Sequence, residues 1–335
     1  MLSEVQASEF KDRGYLMLPG LVSEAVCKDL LAQLDQWVQE SRGHQANYGF
    51  DTPNGKARFD LEKGHSATNP RLRRVANPVD ISEVYQTLLF EGDLPKVVAD
   101  LIGPNVFFHH CKLNNKFPGA GTRVEYHADH PFDPHTNDDG LTVLLFLDDM
   151  DEGNGCARLV PGSHRERYTH FHDGKFTGST DPALFDEFDG RADSLVGKAG
   201  DVCLMDIWTL HGGSSNQSQD RDRRMLIADY RAADAFAIIP PVVPSRFYRR
   251  IVAGEPTLMP ESSMFDAHAR SPLGSDEDRA LWLDRIAAAL GVPSHRIAVV
   301  EVRGHGLFAV LDLLSASGAG GGNSAAASAA SAAAA

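Results

Sequence analysis

The sequence predicts a mainly β protein with flanking helices, in which the strands form a sandwich or a barrel. From about residue 106 to residue 232, short apolar runs alternate with Gly, Asp, Asn and Pro turns, as in "GLTVLLFLDDM", "CARLVPGS", "DVCLMDIWTL" and "RRMLIADYRA". Evenly spaced short strands of this kind are typical of sandwiches and barrels. Segments with helical periodicity precede and follow this region. The sequence therefore predicts a β core with helices before and after it.

The predicted elements outside the core can be placed from caps and periodicity. A short strand in "GYLMLPG" precedes a helix in "LVSEAVCKDLLAQLDQWVQES", whose apolar residues recur at helical spacing after the cap residue Ser23. A second helix in "LPKVVADLIG" ends at Gly103, and "NVFFHHCKLNNKF" then alternates as a strand does. The last helix, "SDEDRALWLDRIAAALG", has Ser275 as its cap and ends at Gly291.

Length and composition indicate a globular chain with a tail. With 335 residues, 42% of them hydrophobic, the chain can bury a sizeable core. We expect residues 1–315 to form a single domain. The terminal stretch "SASGAGGGNSAAASAASAAAA" has no apolar face to bury, so residues 316–335 are expected to be a disordered Gly/Ala/Ser tail.

The net charge and the absence of long apolar runs in the sequence argue against nucleic-acid and membrane partners. The formal net charge of -14 opposes binding to nucleic acid, because affinity for phosphates depends on Lys and Arg. No apolar run approaches the roughly 20 residues that span a bilayer, and the N-terminus lacks a secretion signal. We therefore expect a cytoplasmic protein without a membrane partner. The four cysteines are far apart and are expected to be reduced.

The stretch "VEYHADHPFDPHT" concentrates acids and imidazoles next to a predicted strand. If His127 and Asp129 lie on one strand, both side chains point to the same side and could bind one metal ion. A third ligand is available in His211, at the end of "DIWTLHGG". Two histidines and one carboxylate are the ligand set of non-haem Fe(II) oxygenases. The alternative interpretation is a solvated loop, since a lone His-x-Asp pattern is common.

The order of several motifs resembles one family. The runs "YHADHPF", "DGLTVLLFLDD", "NGCARLVPGSH", "AGDVCLMDIWTLHGGSSNQS" and "RRMLIADY" resemble the phytanoyl-CoA dioxygenase-like family of Fe(II)/2-oxoglutarate oxygenases. The opening "FKDRGYLMLPGLVSEAVCKDLLAQL" is also similar to the start of that family. The resemblance covers roughly residues 9 to 235. It implies a double-stranded β-helix, a cupin-like jelly roll with helices packed on one side.

The resemblance also implies roles for individual residues. His127, Asp129 and His211 match the iron ligands of the family. An arginine on the strand after the second histidine pairs with the far carboxylate of 2-oxoglutarate, and Arg223 fits this role best. The other candidates for the arginine are Arg221 and Arg224. Polar contacts to the co-substrate are expected from Lys112, Asn114 and Thr142.

The implied activity is Fe(II)- and 2-oxoglutarate-dependent oxidation of a small molecule. Such enzymes consume O2 and release succinate and CO2, and ascorbate is expected to support turnover. Related halogenases replace the metal-bound carboxylate by a small residue, whereas this sequence keeps Asp129, so hydroxylation of an unactivated carbon is favoured over halogenation. The alternative is a metal-binding jelly-roll protein that performs no oxidation. Nothing in the sequence selects the substrate.

Overall fold

The computed structural model describes residues 1–119, 123–257, 301–303 and 306–308 of the chain. Residues up to 257 belong to one compact unit, Met1–Met264. The two short segments beyond residue 300 belong to a second unit, Phe265–Ala335. Within the described residues, no helix has the length and apolar character needed to cross a membrane.

Side-chain caps start the first two helices. The Ser3 hydroxyl accepts a hydrogen bond from the Gln6 N–H at 3.2 Å, and the Ser23 hydroxyl accepts one from the Val26 N–H at 3.4 Å. These bonds satisfy N–H groups that have no partner within a helix. The α-helices of the described residues are α1 (Glu4–Arg13), α2 (Glu24–Ser41), α3 (Glu83–Phe90), α4 (Asp93–Ile102) and α5 (Phe185–Arg191). The 3-10 helices are Pro78–Asp80, His130–Phe132, Ser163–Arg165 and Pro182–Leu184.

Most strands of the described residues lie in the first unit. They are β1 (Tyr15–Leu18), β2 (Phe59–Leu61), β3 (Leu72–Ala76), β4 (Val106–Lys116), β5 (Val124–His127), β6 (Gly140–Phe146), β7 (Ala157–Leu159), β8 (Phe171–His172), β9 (Lys175–Phe176), β10 (Asp193–Ser194), β11 (Val202–Asp206), β12 (His211–Gly213), β13 (Arg223–Ala232) and β14 (Arg250–Ala253). The second unit contains β15 (Glu301–Arg303) and β16 (Gly306–Phe308), which pair as an antiparallel hairpin.

Two antiparallel sheets form the jelly roll. The larger sheet has the order β1-β11-β6-β13-β4-β3-β2, and β14 also pairs with β4. The smaller sheet has the order β10-β7-β12-β5, and β8 pairs with β9 alone. An apolar cluster with side chains from both sheets, including Leu144, Met225 and Leu159, joins them. The predicted double-stranded β-helix is thus confirmed.

The two faces of strand β13 have different surroundings: one packs in the hydrophobic core and the other faces the interior of the jelly roll. Leu226, Ala228 and Tyr230 belong to the main hydrophobic cluster, which also contains buried residues of α2, α3 and α4. The Tyr230 hydroxyl donates to the Leu89 carbonyl of α3 at 2.9 Å. Because side chains alternate along a strand, Arg223 and every second residue after it face the other side of the sheet. That side faces the smaller sheet.

The elements predicted from caps and periodicity are present where the structure describes them. The helix after Ser23 is α2, the helix that ends before Gly103 is α4, and the predicted long strand is β4. Helices α1, α3 and α5 were not predicted; α3 and α5 have only eight and seven residues, too few for a clear period. The predicted helix between Ser275 and Gly291 and the predicted tail lie outside the described residues, and the expected single domain of residues 1–315 remains a prediction.

Candidate active site

Three potential metal ligands meet where β5 and β12 pair. His127 is the last residue of β5 and His211 is the first residue of β12, and the two residues are cross-strand partners. Asp129 lies just beyond β5, not on the strand, and has helical backbone angles. Its N–H donates to the Ile207 carbonyl at 3.0 Å, which holds the turn against the segment that leads to His211. The carboxylate is therefore positioned by this turn and not by strand alternation.

The three side chains converge on one point. Asp129 Oδ1 lies 3.9 Å from His127 Nε2 and 3.7 Å from His211 Nε2. One ligand atom from each residue lies within 4.8 Å of the others. Each side chain is only 13 to 16% exposed. The cluster has the spacing of a metal site that is open on one side.

Hydrogen bonds orient both imidazoles so that each Nε2 is directed toward the Asp129 carboxylate. His127 Nδ1 lies 2.8 Å from the Glu125 carbonyl, and His211 Nδ1 lies 3.0 Å from the Thr209 carbonyl. Because a carbonyl oxygen only accepts, each Nδ1 carries the hydrogen and each Nε2 keeps its lone pair. Burial, followed by repulsion from His211, lowers the pKa of His127 to about 3. The His127 imidazole is therefore neutral at physiological pH, and its Nε2 lone pair is available to a metal ion.

Thr142 connects the Asp129 carboxylate to a second carboxylate. Its hydroxyl oxygen lies 2.7 Å from Asp129 Oδ2 and 2.7 Å from Asp229 Oδ1. Burial raises the pKa of Asp129, but electrostatic interactions with His211, Lys112 and His127, together with the hydrogen bond from Thr142, outweigh this effect and hold the pKa below its ordinary value. The carboxylate is thus ionised, with Oδ1 directed to the two histidines and Oδ2 bound to Thr142.

A cavity extends from this cluster along the inner face of the larger sheet. Including the part open to solvent, its volume is about 590 Å³. Its wall contains all three potential ligands and the four residues expected to contact the co-substrate. The lining residues are Lys112, Asn114, Lys116, Val124, His127, Asp129, Thr142, Leu144, Ala157, His211, Gly212, Gly213, Arg223, Met225 and Ile227.

Of the three arginine candidates, only Arg223 lies in the wall of this cavity. It is 4% exposed, and its Nε and Nη1 have no hydrogen-bond partner among the described residues. Burial lowers the pKa of its guanidinium to about 10, which leaves the group charged at neutral pH. Arg221 forms an exposed ion pair with Asp151 at 2.6 Å, and Arg224 pairs with Asp148 at 2.5 Å.

The sequence prediction did not include Lys116, which lines the cavity opposite Arg223. Its ammonium group donates to the Ser214 carbonyl. Alternation in "CKLNNK" could have revealed it, since Lys112, Asn114 and Lys116 lie on one face of β4. Asp229 was also not predicted, because its position depends on the pairing of β13 with β6.

The sequence is similar to one protein family and to several known relatives. The family model described as phytanoyl-CoA dioxygenase (PhyH) matches residues 10–225. A probable alpha-ketoglutarate-dependent hypophosphite dioxygenase of Stutzerimonas stutzeri is 30% identical over 279 residues, covering 82% of this chain and 94% of the relative. A 2-aminoethylphosphonate dioxygenase of the uncultured bacterium HF130_AEPn_1 is 27% identical over 229 residues, covering 68% of this chain and 81% of the relative.

The fold also has counterparts among solved structures. The crystal structure of EctD from S. alaskensis with bound Fe aligns with a TM-score of 0.59 and 23% sequence identity. The alignment covers 78% of this chain and 87% of that chain. At this level of identity, the similarity concerns the jelly-roll fold.

Proposed function

Since this chain belongs to the phytanoyl-CoA dioxygenase family, we propose that it is a non-haem Fe(II)- and 2-oxoglutarate-dependent dioxygenase that hydroxylates a small molecule. The proposed reaction consumes O2 and 2-oxoglutarate and releases succinate and CO2. One oxygen atom enters the succinate and the other enters a C–H bond of the substrate. The bound iron and 2-oxoglutarate supply the oxidising chemistry, and the protein positions the reactants.

One observation carries the proposal: a three-ligand metal cluster and a buried arginine without a partner line the same cavity. His127, Asp129 and His211 offer two imidazole nitrogens and one carboxylate oxygen, a set that suits Fe(II) and leaves coordination positions open. Arg223 offers free N–H groups to a carboxylate in a cavity that also contains the metal ligands. A dicarboxylate that reaches both groups would satisfy them together.

The remaining cavity residues support the binding of an anion. Lys116 lies opposite Arg223 and adds a second positive charge at that part of the wall. Lys112 and Asn114 project from the same strand face nearer to the metal ligands. Thr142 orients Asp129 through the hydrogen bond to Oδ2, which leaves Oδ1 free for the metal. The chain's own residues would thus hold the metal, orient the co-substrate and balance its charge.

Hydroxylation is favoured over halogenation because of Asp129. A carboxylate that contributes its Oδ1 to the cluster occupies the metal position that a halide ion would need. The names of the two relatives given above refer to hypophosphite and 2-aminoethylphosphonate, which are compact phosphorus oxoanions. These names support a small polar substrate for this chain.

The test is release of succinate from 2-oxoglutarate by the protein with Fe(II), ascorbate and O2. A library of small molecules is then screened by mass spectrometry for a gain of one oxygen atom, with 18O2 as the oxygen source. We expect succinate and an 18O-labelled product from the wild type and neither from Asp129→Ala. Iron binding without succinate under any condition would favour a metal-binding jelly-roll protein that performs no oxidation.

A further inference from the structure

A β-bulge in β4 brings an additional histidine into the interior of the jelly roll. In the pairing of β13 with β4, Asp229 lies opposite His110, and the next residue of β13 lies opposite Phe108, so His109 is the extra residue. The His109 ring is completely buried, with ring centres 4.9 Å from His110 and 5.0 Å from His135. Bulges often redirect a side chain beside an active site.

Arg231 is a buried cation without a counter-ion among the described residues. It is 1% exposed, and its Nη1 donates to the Tyr230 carbonyl at 3.0 Å. Its Nε has no hydrogen-bond partner, and no carboxylate oxygen in the described part of the chain lies within 4.0 Å of the guanidinium. A buried charge without a partner is strongly destabilising. The arrangement therefore favours an anion that is supplied by a ligand.

Two imidazole nitrogens near Arg231 also lack partners. His110 Nδ1 lies 3.2 Å from Asp229 Oδ2 and 2.7 Å from His109 Nδ1. Since a carboxylate accepts, His110 Nδ1 carries the hydrogen and His109 Nδ1 is the acceptor, which places the His109 hydrogen on Nε2. Neither His109 Nε2 nor His135 Nε2 has a partner among the described residues.

This group of nitrogens lies on the other side of the metal ligands from Arg223. Thr142 joins Asp129 to Asp229 by contacts of 2.7 Å, so Asp229 marks the level of the metal cluster on β13. Arg231 follows Asp229 by two residues on the same strand face, about 7 Å further on, whereas Arg223 precedes Asp229 by six residues. The two arginines therefore extend from the metal cluster in opposite directions.

On the basis of the proposed function, we propose that Arg231, His109 and His135 bind the anionic head group of the primary substrate. The ligand chemistry is a compact oxoanion, which phosphonates and carboxylates share. Its oxygens accept from Arg231 Nε and His109 Nε2. Burial lowers the pKa of His135 to about 3, so this ring is neutral, and its Nε2 accepts from the hydroxyl of the head group where one is present, as in a singly protonated phosphonate. The rest of the substrate then lies toward the metal cluster, because Asp229 and Thr142 connect the two sites.

The nearby carboxylates do not take the place of this ligand. Asp229 already contacts His110 and Thr142, and Asp133 Oδ1 accepts from the Val242 N–H at 2.8 Å. Burial also raises the pKa of Asp133 to about 6, so this carboxyl group loses part of its negative charge near neutral pH and is a weaker counter-ion for Arg231.

A second metal ion is a weaker interpretation, although His109, His110 and Asp133 lie close together. The two Nδ1 atoms are 2.7 Å apart, a hydrogen-bond distance, whereas two imidazoles on one ion keep their nitrogens about 3 Å apart or more.

The experiment measures binding without turnover. Protein loaded with Fe(II) and 2-oxoglutarate in the absence of O2 is titrated calorimetrically with ethylphosphonate, propionate and propan-1-ol. We expect at least one of the two anions to bind and the alcohol not to bind; the tighter anion identifies the head group. Arg231→Met should weaken anion binding at least about tenfold, whereas Arg191→Met, an exposed arginine of α5, should leave it unchanged.

A second readout separates binding from a structural role. Without ligand, Arg231→Met should melt at the same temperature as the wild type or higher, because it removes a buried charge without a partner. A lower melting temperature, or failure to fold, would show that Arg231 stabilises the chain by itself and would overturn the proposal. His109→Phe provides an independent variant, for which anion affinity should fall at least about fivefold.

The outcomes also distinguish this proposal from the proposed function. If the wild type releases succinate but binds neither anion, or binds the alcohol equally well, the anion site is wrong and the dioxygenase remains. If Arg231→Met and His109→Phe both keep wild-type anion affinity, the site is likewise wrong. If no succinate forms under any condition, the proposed function itself is wrong.

Discussion

Arg223 and Lys116 lie directly opposite each other on β13 and β4 and bring two positive side chains to the same part of the cavity wall. Like charges in this position destabilise a sheet. Burial, followed by repulsion from Arg223, lowers the pKa of Lys116 to about 7. A bound dicarboxylate would reduce this repulsion. The repulsion between the two side chains therefore favours binding of an anionic co-substrate.

The depressed pKa of Lys116 predicts a pH dependence of stability. An unfolded lysine has a pKa of about 10.4, so between about pH 7 and pH 10 the unfolded chain binds more protons than the folded chain. The destabilising contribution of Lys116 is therefore complete below about pH 7 and fades as the pH rises. Melting curves should show that the wild type gains stability relative to Lys116→Met between pH 7 and pH 9.5.

Added 2-oxoglutarate and Fe(II), without O2, should reduce this gain, because a bound anion stabilises the protonated lysine. Parallel pH curves of the two proteins without ligand would contradict the assigned pKa.

The arginine that binds 2-oxoglutarate can be identified by kinetics. Arg223→Ala should raise the KM for 2-oxoglutarate at least about tenfold, equal to about 1.4 kcal/mol, because a carboxylate loses its partner in a buried site. Arg221→Ala and Arg224→Ala are the controls, since these residues pair with Asp151 and Asp148. Both should change the KM by less than about threefold. A large effect of Arg224→Ala alone would reverse the assignment.

Metal binding should depend on all three ligands. His127→Ala, Asp129→Ala and His211→Ala should each lose most Fe(II) binding in an anaerobic titration, since the number of ligands sets both affinity and geometry. The matched control is His44→Ala, because the His44 ring stacks on Tyr48 and does not line the cavity. This variant should bind one equivalent of Fe(II). Full Fe(II) binding by Asp129→Ala would exclude this carboxylate as a ligand.

Thr142 should influence the metal without touching it. Thr142→Val keeps the shape of the side chain but removes the hydroxyl between Asp129 and Asp229. Loss of such an orienting hydrogen bond typically lowers metal affinity about 10- to 100-fold. Thr142→Ser should restore most of the affinity, because the hydroxyl is retained. Equal Fe(II) affinity of the wild type and Thr142→Val would show that the hydrogen bond has no orienting role.

Local patterns were sufficient for the elements that contain their own signals. Helix α2 has a side-chain cap and a long apolar period, and β4 and β13 are long strands of eleven and ten residues. Alternation also separates Arg223 from Arg224, whatever the rest of the fold does, because adjacent strand residues face opposite sides. Helix α3 was missed because its eight residues carry little periodicity.

The sequence by itself determined which residue types are available for a metal and an anion, because His127, Asp129, His211 and Arg223 stand in motifs that can be read in order. Only the tertiary structure decided how they meet. His127 and His211 are 84 residues apart in the chain and become neighbours through strand pairing. The inward position of His109 likewise depends on a bulge in the register of two strands, and register is a property of the folded sheet rather than of local periodicity.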